Sequence, residues 1–385
     1  MKRLSIIFLY TFVFFLSGAY IFAYYNNLDY PSFEFLFFFI IILFGIVIGE
    51  FFGEIIYHHH FPLLRTKKYE LGIKSILYLK RVLKLIFVIG IIYILLYVTL
   101  NSNSTDLLTI PQEIALKRYT IGLITPWYLK IIKVVIYSGM IISAILLAFG
   151  INAKEIYYSP LIILLEGLLS AGKSGFLFGL VLFIAFYFST KAIRGEKFKL
   201  KIFNTLKYAT YLFVFLFFAQ VGRLNVLSSE IYIGVVNRLL SYAFSPILAF
   251  NQWFNQAFNQ DLSYGKFTFA GLANLFNIFT RDDGVFQNKA YLSNEIFTNV
   301  YTAFRSLIMD YGIFGSILFC IIIASLFGYL RLAIERGKLF GAIFIFSMIL
   351  SFFLWSFFGS FFAYNTYFFS SIFAYYLWTI TIKIK

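Results

Sequence analysis

Cysteine is almost missing from this 385-residue chain: Cys320 stands alone, which excludes a disulfide framework and a thiolate metal set. Histidine is nearly as scarce, and the three present are consecutive, His58, His59 and His60. Three adjacent side chains on a helix cannot face one ion, so with no cysteine nearby no metal site is expected. Charged residues are only 13% of the chain, with 17 Asp and Glu against 32 Lys and Arg. No internal repeat with polar residues at corresponding places in two halves is found, the pattern typical of secondary transporters. What the chain has in excess is apolar surface: 61% of its residues are hydrophobic, with a mean hydropathy of +0.85. That is more than a soluble core needs, and it defines a polytopic membrane protein.

A helix needs about 20 apolar residues, at about 1.5 Å rise each, to cross roughly 30 Å of hydrocarbon. Ten candidate spans satisfy this approximately, near 5 to 25, 34 to 56, 84 to 100, 131 to 149, 157 to 169, 176 to 190, 208 to 222, 306 to 330, 341 to 360 and 366 to 382. The tightest stretch is 157 to 190, too short for two full crossings, so both spans there are short or one is re-entrant. The first span carries no convincing small-x-small cleavage site and reads as a retained anchor. The expectation is an all-α polytopic integral membrane protein of about ten transmembrane helices, with residues 1–385 forming one membrane domain. One long extracytoplasmic loop, 223–305, interrupts it.

Lys and Arg set the orientation, because short basic loops stay cytoplasmic. Lys2 and Arg3, the segment Arg65 to Lys84, Lys154, Lys191 to Lys207, Arg331 to Lys338 and the tail Lys383 and Lys385 all fall on one side of a ten-span arrangement. The short loops of the other side hold only Lys117, Arg118 and Lys173. Both termini are therefore expected in the cytoplasm. The net charge of +15 is explained by these loops, which meet anionic lipid head groups, so no nucleic-acid partner is implied. The 53 Phe and 29 Tyr do not by themselves mark a sugar site.

Several local patterns suggest chemistry. Gly167, Gly172, Lys173 and Ser174 fit the phosphate-loop spacing G-x-x-x-x-G-K-S, but that loop needs a strand before it, and here it joins two apolar helices on the predicted outer side. Nucleotide binding is not expected. A helix starting near Lys173 still offers free N–H groups and a cation to a phosphate. Glu166 sits within the fifth span, where an ionisable group is costly and is by default a functional candidate. Gly45, Gly49 and Gly53 recur every four residues and predict close helix packing. Glu50, Glu54 and His58 follow the same interval, consistent with a head-group contact. In the long loop, Ile231, Val235, Leu239 and Tyr242 describe an amphipathic helix, and Phe250, Trp253, Phe254 and Phe258 repeat the pattern.

The order SerTyrAlaPheSerProIleLeuAlaPheAsnGlnTrpPhe (241 to 254), GlyLysPheThrPhe (265 to 269), ThrAsnValTyrThrAlaPhe (298 to 304) and AspTyrGlyIlePheGly (310 to 315) resembles the Wzy-type oligosaccharide repeat unit polymerases of O-antigen and capsule synthesis. By motif the resemblance covers roughly 160 to 330, and by topology the whole chain. It implies a glycosyl transfer at the outer face of a bacterial inner membrane, joining undecaprenyl diphosphate-linked repeat units without metal, nucleotide or other cofactor. A chain-length regulator is an implied partner. Arg223 and Gly234 match an Arg-x10-Gly motif of that family. Related proteins carry an Arg between small residues after the fifth span, where this chain has Gly172, Lys173 and Ser174; Lys keeps the charge but not the bidentate fork.

A lipid diphosphate leaving group needs cationic donors, and the acceptor hydroxyl needs a base. For the base, Glu230, Asp282, Asp283 and Asp310 stay open. The expected catalytic set is Arg223, Arg305 and Asp310, and the expected substrate-binding set is Arg238, Arg281, Lys173, Glu166, Gly234 and Tyr301. An O-antigen ligase shares the donor, but resembles a pattern with an outer-loop His, and this chain has no His beyond His60. A flippase or transporter is the remaining alternative.

Overall fold

The computed structural model describes residues 3–60, 71–104, 106, 109–120, 122–170, 172–196, 210, 214–217, 220–221, 229–256, 261–276, 278, 286, 288–294, 296–336 and 341–383. They form an all-helical protein apart from one short antiparallel pair that aligns Ala290 with Thr298 and Tyr291 with Phe297. In chain order the helices are α1 (Leu4–Tyr25), α2 (Phe33–His60), α3 (Ile73–Asn101), α4 (Ile110–Thr120), α5 (Trp127–Ala148), α6 (Tyr158–Leu169), α7 (Lys173–Ile193), α8 (Ser229–Gln256), α9 (Ala270–Leu275), α10 (Ala303–Glu335), α11 (Ala342–Trp355) and α12 (Asn365–Lys383).

Among the described residues six helices are long and apolar enough to cross a membrane: α1, α2, α3, α5, α7 from Ser174, and α10. The expected fifth span is α6, only 12 residues, or about 18 Å at 1.5 Å per residue, and α11 is also short, 14 residues. The expected span at 208 to 222 lies mostly outside the described residues. The amphipathic stretch anticipated at 231 to 242 and the described part of the one at 250 to 258 join in one helix, α8, which runs through Pro246; Phe258 lies outside the described residues.

The described residues divide into two compact units, Met1–Lys67 with Leu240–Asn365, and Lys68–Leu239 with Thr366–Lys385. In the first unit α2 lies along α10, and the glycine stripe is the reason. A Cβ at Gly53 would stand 1.9 Å from the Ser325 carbonyl oxygen, and one at Gly49 would stand 2.4 Å from that of Ile321. Gly328 answers from α10, since a Cβ there would meet the Glu50 oxygen at 2.5 Å. Backbones this close leave no room for side chains, which is how small residues let apolar helices pack tightly.

Glu50 and Glu54, read as a head-group contact, turn inward. The Glu50 carboxylate accepts the Leu4 N–H at 2.6 Å, the Ser5 N–H at 3.0 Å and the Ser5 hydroxyl at 2.6 Å, capping the start of α1. Those N–H groups have no partner inside their own helix, and an unpaired one in an apolar setting is expensive. Glu54 pairs with Arg331 and lies 3.7 Å from Arg3. Around them the phenylalanines interlock: Phe39 meets Phe304 edge-on at 5.0 Å, and Phe8 stacks on Phe357 at 5.8 Å. Much of the aromatic content is core.

In the second unit α3, α5, α6 and α7 pack around Tyr137, Ile163 and Phe178, all fully buried. Glycine again sets the spacing, since a Cβ at Gly139 would meet the Ser159 hydroxyl at 2.2 Å.

Candidate functional site

At one end of the second unit, the C-terminal turns of α3 and α6 face the N-terminal turns of α5 and α7 around a cavity of about 330 Å³. Tyr93 and Tyr97, one helical turn apart on α3, form one wall. Lys130 and Lys133, three residues apart on α5, form another, Glu166 and Gly167 of α6 a third, and Ser174, Gly175 and Phe176 of α7 the fourth. Arg118 of α4 and Thr366 of α12 complete it. The lining sets three cationic side chains against one carboxylate.

The partners of these groups are specific. Glu166 is 7% exposed. Its Oε1 lies 2.6 Å from Lys133 Nζ and accepts the Tyr93 hydroxyl at 3.0 Å. The other oxygen, Oε2, takes no partner among the described residues. Arg118 Nη2 donates to the Ser170 carbonyl oxygen at 2.9 Å, which fixes the guanidinium at the end of α6. A Cβ at Gly172 would stand 2.9 Å from Ser170 Oγ and 3.2 Å from Arg118 Nη2, so a side chain there would push on both groups. No side chain caps α7, so its first N–H groups are left for a ligand or water. The α3 to α4 turn that carries Arg118 into place is itself tied by Glu113, which accepts the Ser102 hydroxyl at 2.7 Å and the Asn103 N–H at 2.9 Å. The Ser102 hydrogen bond first, then that of Asn103, lowers the Glu113 pKa below the ordinary carboxylate value.

The phosphate-loop spacing thus occupies the cavity wall but joins α6 to α7, with a helix where a nucleotide loop has a strand. Purified protein is accordingly expected to show no saturable ATP binding in equilibrium dialysis; specific binding at micromolar ATP would overturn this. Lys173 opens α7, and its side chain lies outside the described part.

The other expected site residues lie elsewhere. Arg223 and Arg281 lie outside the described residues, as do the candidate bases Asp282 and Asp283 and the side chain of Glu230. Arg238 is exposed on α8. Gly234, on the same helix, has open space around it, with nothing within 4 Å of an added Cβ.

Arg305 and Tyr301 come together in the first unit. The Arg305 guanidinium stands 3.8 Å from the centre of the Tyr301 ring, 4.1 Å from Phe286 and 5.1 Å from Trp253. It is 4% exposed, and its Nε and Nη1 make no hydrogen bond. Tyr301 donates its hydroxyl to the Asn288 carbonyl oxygen at 3.1 Å, anchoring the box.

Asp310 has a holding task. Five residues after Arg305, α10 breaks at Gly312, where φ is 70°. The turn at 263 to 268 wraps the break: Ser263 N–H donates to the Met309 oxygen and Tyr264 N–H to the Asp310 oxygen, each at 3.0 Å. The Asp310 carboxylate accepts Phe267 N–H at 3.0 Å and Thr268 N–H at 2.5 Å. A helix interrupted in apolar surroundings must pair its freed backbone groups. The Ser263 and Tyr264 N–H groups do that here, and Asp310, 0% exposed, uses its carboxylate to hold the turn through Phe267 and Thr268.

Among the described residues no group of three or more His, Cys, Asp or Glu is placed to hold a metal. Arg118, Lys130, Lys133, Tyr93 and Tyr97 were not singled out by sequence as site residues. The available signal was two lysines three apart inside an apolar span, which need a buried or aqueous partner, and a lone carboxylate in another span that supplies one. The chain matches no family model, no curated protein and no solved structure.

Proposed function

We propose that this chain is a Wzy-type polymerase, joining undecaprenyl diphosphate-linked oligosaccharide repeat units at the outer face of the bacterial inner membrane, with both termini in the cytoplasm. The observation that carries this reading is the cavity of the second unit, where Arg118, Lys130, Lys133 and the uncapped start of α7 surround one carboxylate, Glu166. Fixed cations and helix N-termini favour a phosphate-bearing group, and a leaving diphosphate gains most from donors already in place. The positive-inside distribution puts Arg118 and Gly172 on the outer side, where a flipped lipid-linked donor arrives. A glycan transferred from lipid diphosphate carries its own activation, so neither nucleotide nor metal enters the scheme.

Deletion of the gene in its source strain should remove the surface glycan ladder and leave single repeat units, and the wild-type chain should restore it. Arg118→Ala should restore it poorly, with output down about 10²-fold, the usual loss for one such donor. An unaltered ladder in the deletion strain sinks the polymerase reading, and loss of the single-unit band as well points to a ligase. The orientation has its own check. Tyr291, 62% exposed in the long loop, replaced by Cys in a Cys320→Ala background, should react with an impermeant maleimide in intact cells. Reaction only after permeabilisation would reverse the topology.

A further inference from the structure

Resting on that reading, we propose that Glu166 is the base that accepts the acceptor hydroxyl's proton, and that Lys133 and Tyr93 are the residues that position it. The asymmetry of its contacts carries the assignment. Both partners hold Oε1, the ammonium at 2.6 Å and the phenol at 3.0 Å, while Oε2 is left without a hydrogen bond on a cavity wall. Glu50, by contrast, takes a partner on each oxygen at the start of α1. Holding one oxygen fixes the group's plane and leaves the other aimed at an incoming O–H, which is what a base requires.

The second half of the cavity fits the leaving group. Ser170, whose carbonyl anchors Arg118, follows Glu166 by one helical turn and closes that turn with its N–H on the Glu166 oxygen at 2.8 Å. One turn is about 5.4 Å along the axis. The base and the anion-binding guanidinium thus line one cavity of about 330 Å³ from neighbouring positions at the end of α6. Among the described residues Glu166 is also the one carboxylate lining the cavity.

In the proposed step the acceptor oxygen bonds to the donor's anomeric carbon as the bond from that carbon to the diphosphate oxygen breaks. The electron pair leaves on the diphosphate, beside Arg118, Lys130 and the α7 N-terminus. The acceptor proton passes to Glu166 Oε2 and is returned to water when product leaves. No oxidant, reductant or further reactant is needed.

The test uses the full chain reconstituted in proteoliposomes with undecaprenyl diphosphate-linked repeat units, with polymer measured against pH. The titratable and charged groups around Glu166 are Tyr93 and Tyr97 from α3, Arg118 from α4, and Lys130, Lys133 and Tyr137 from α5. A carboxylate acting as base stops working once it is protonated. Wild type should lose rate with unit slope on the acid side. Glu166→Gln keeps the size and the Tyr93 hydrogen bond, and should lower kcat by about 10²- to 10⁴-fold with KM nearly unchanged and the acid limb gone. Glu166→Ala should recover rate on addition of formate, a rescue that a structural ion pair would not show. Lys133→Arg should retain most activity, and Lys133→Ala should move the acid limb without abolishing it. A Glu166→Gln protein within threefold of wild-type kcat, or one that keeps the acid limb, overturns the assignment while leaving the polymerase standing. A folded Glu166→Ala protein that formate does not rescue also overturns it. Wild type that makes no polymer from this substrate overturns the polymerase reading, and the base with it.

Discussion

Arg305→Ala is expected to abolish polymer while single repeat units persist, and Arg305→Lys is expected to restore little of it. The cause is the box around the guanidinium. Its plane rests against Tyr301 at 3.8 Å and Phe286 at 4.1 Å, with Trp253 at 5.1 Å. A desolvated cation over an aromatic face gains about 2 kcal/mol, and here three rings share one cation. Phe286, Tyr301 and Ala249 form a small core with Ala290, so removing the guanidinium opens a void beside it. Lysine keeps the charge but has no plane to stack, and its ammonium is more strongly hydrated, so it fits this box badly. In the proposed reaction the loss should reach about 10²- to 10³-fold. The measurement is a gel of surface glycan from complemented deletion strains, with protein abundance followed by immunoblot. A near-normal ladder from Arg305→Ala would remove the box from the mechanism.

This residue shows how far the sequence could be read. Arg305 stood out by its place in the motif segment; that its immediate neighbours are rings rather than phosphate-binding partners was not legible, because Trp253, Phe286 and Tyr301 come from three separated stretches. Asp310 was an open candidate for the base, but its carboxylate holds the N–H groups of Phe267 and Thr268 on a turn distant in sequence, and no local pattern announces that contact. Glu50 and Glu54 share a helical interval that suggested one exposed face. In fact Glu50 serves a helix start some 45 residues earlier in the chain, and Glu54 an arginine on α10. Long apolar helices and the glycine stripe were readable because their signal is local and periodic. The cavity was readable only in part: Glu166 and the Gly172 turn stood out, while Lys133 became meaningful once it was seen 2.6 Å from Glu166.

Gly53→Leu should be the most damaging single change in the first unit, and Gly234→Ala among the mildest in the chain. Both glycines lie in helices, so both replacements gain the conformational advantage of a side chain over glycine, about 0.5–1 kcal/mol for alanine. Their surroundings decide the outcome. At Gly53 a Cβ falls 1.9 Å from the Ser325 oxygen and 2.8 Å from the Tyr329 nitrogen, atoms of the α10 backbone that no rotamer change can move. Leucine therefore forces α2 from α10 along the whole stripe, disturbing the Glu54 to Arg331 pair as well. Overpacking typically costs about 1–3 kcal/mol, and a backbone clash belongs at or above the upper end. At Gly234 nothing lies within 4 Å, so alanine should leave stability unchanged or raise it slightly. Size-exclusion profiles in detergent and thermal unfolding followed by tryptophan fluorescence would separate the two. Gly53→Leu should give aggregated or absent protein, and Gly234→Ala a wild-type peak and midpoint. A monodisperse Gly53→Leu protein with an unchanged midpoint would contradict the helix contact. If Gly234→Ala is stable yet makes no polymer, the Arg-x10-Gly spacing serves substrate approach rather than packing, since the helix itself imposes no need for glycine there.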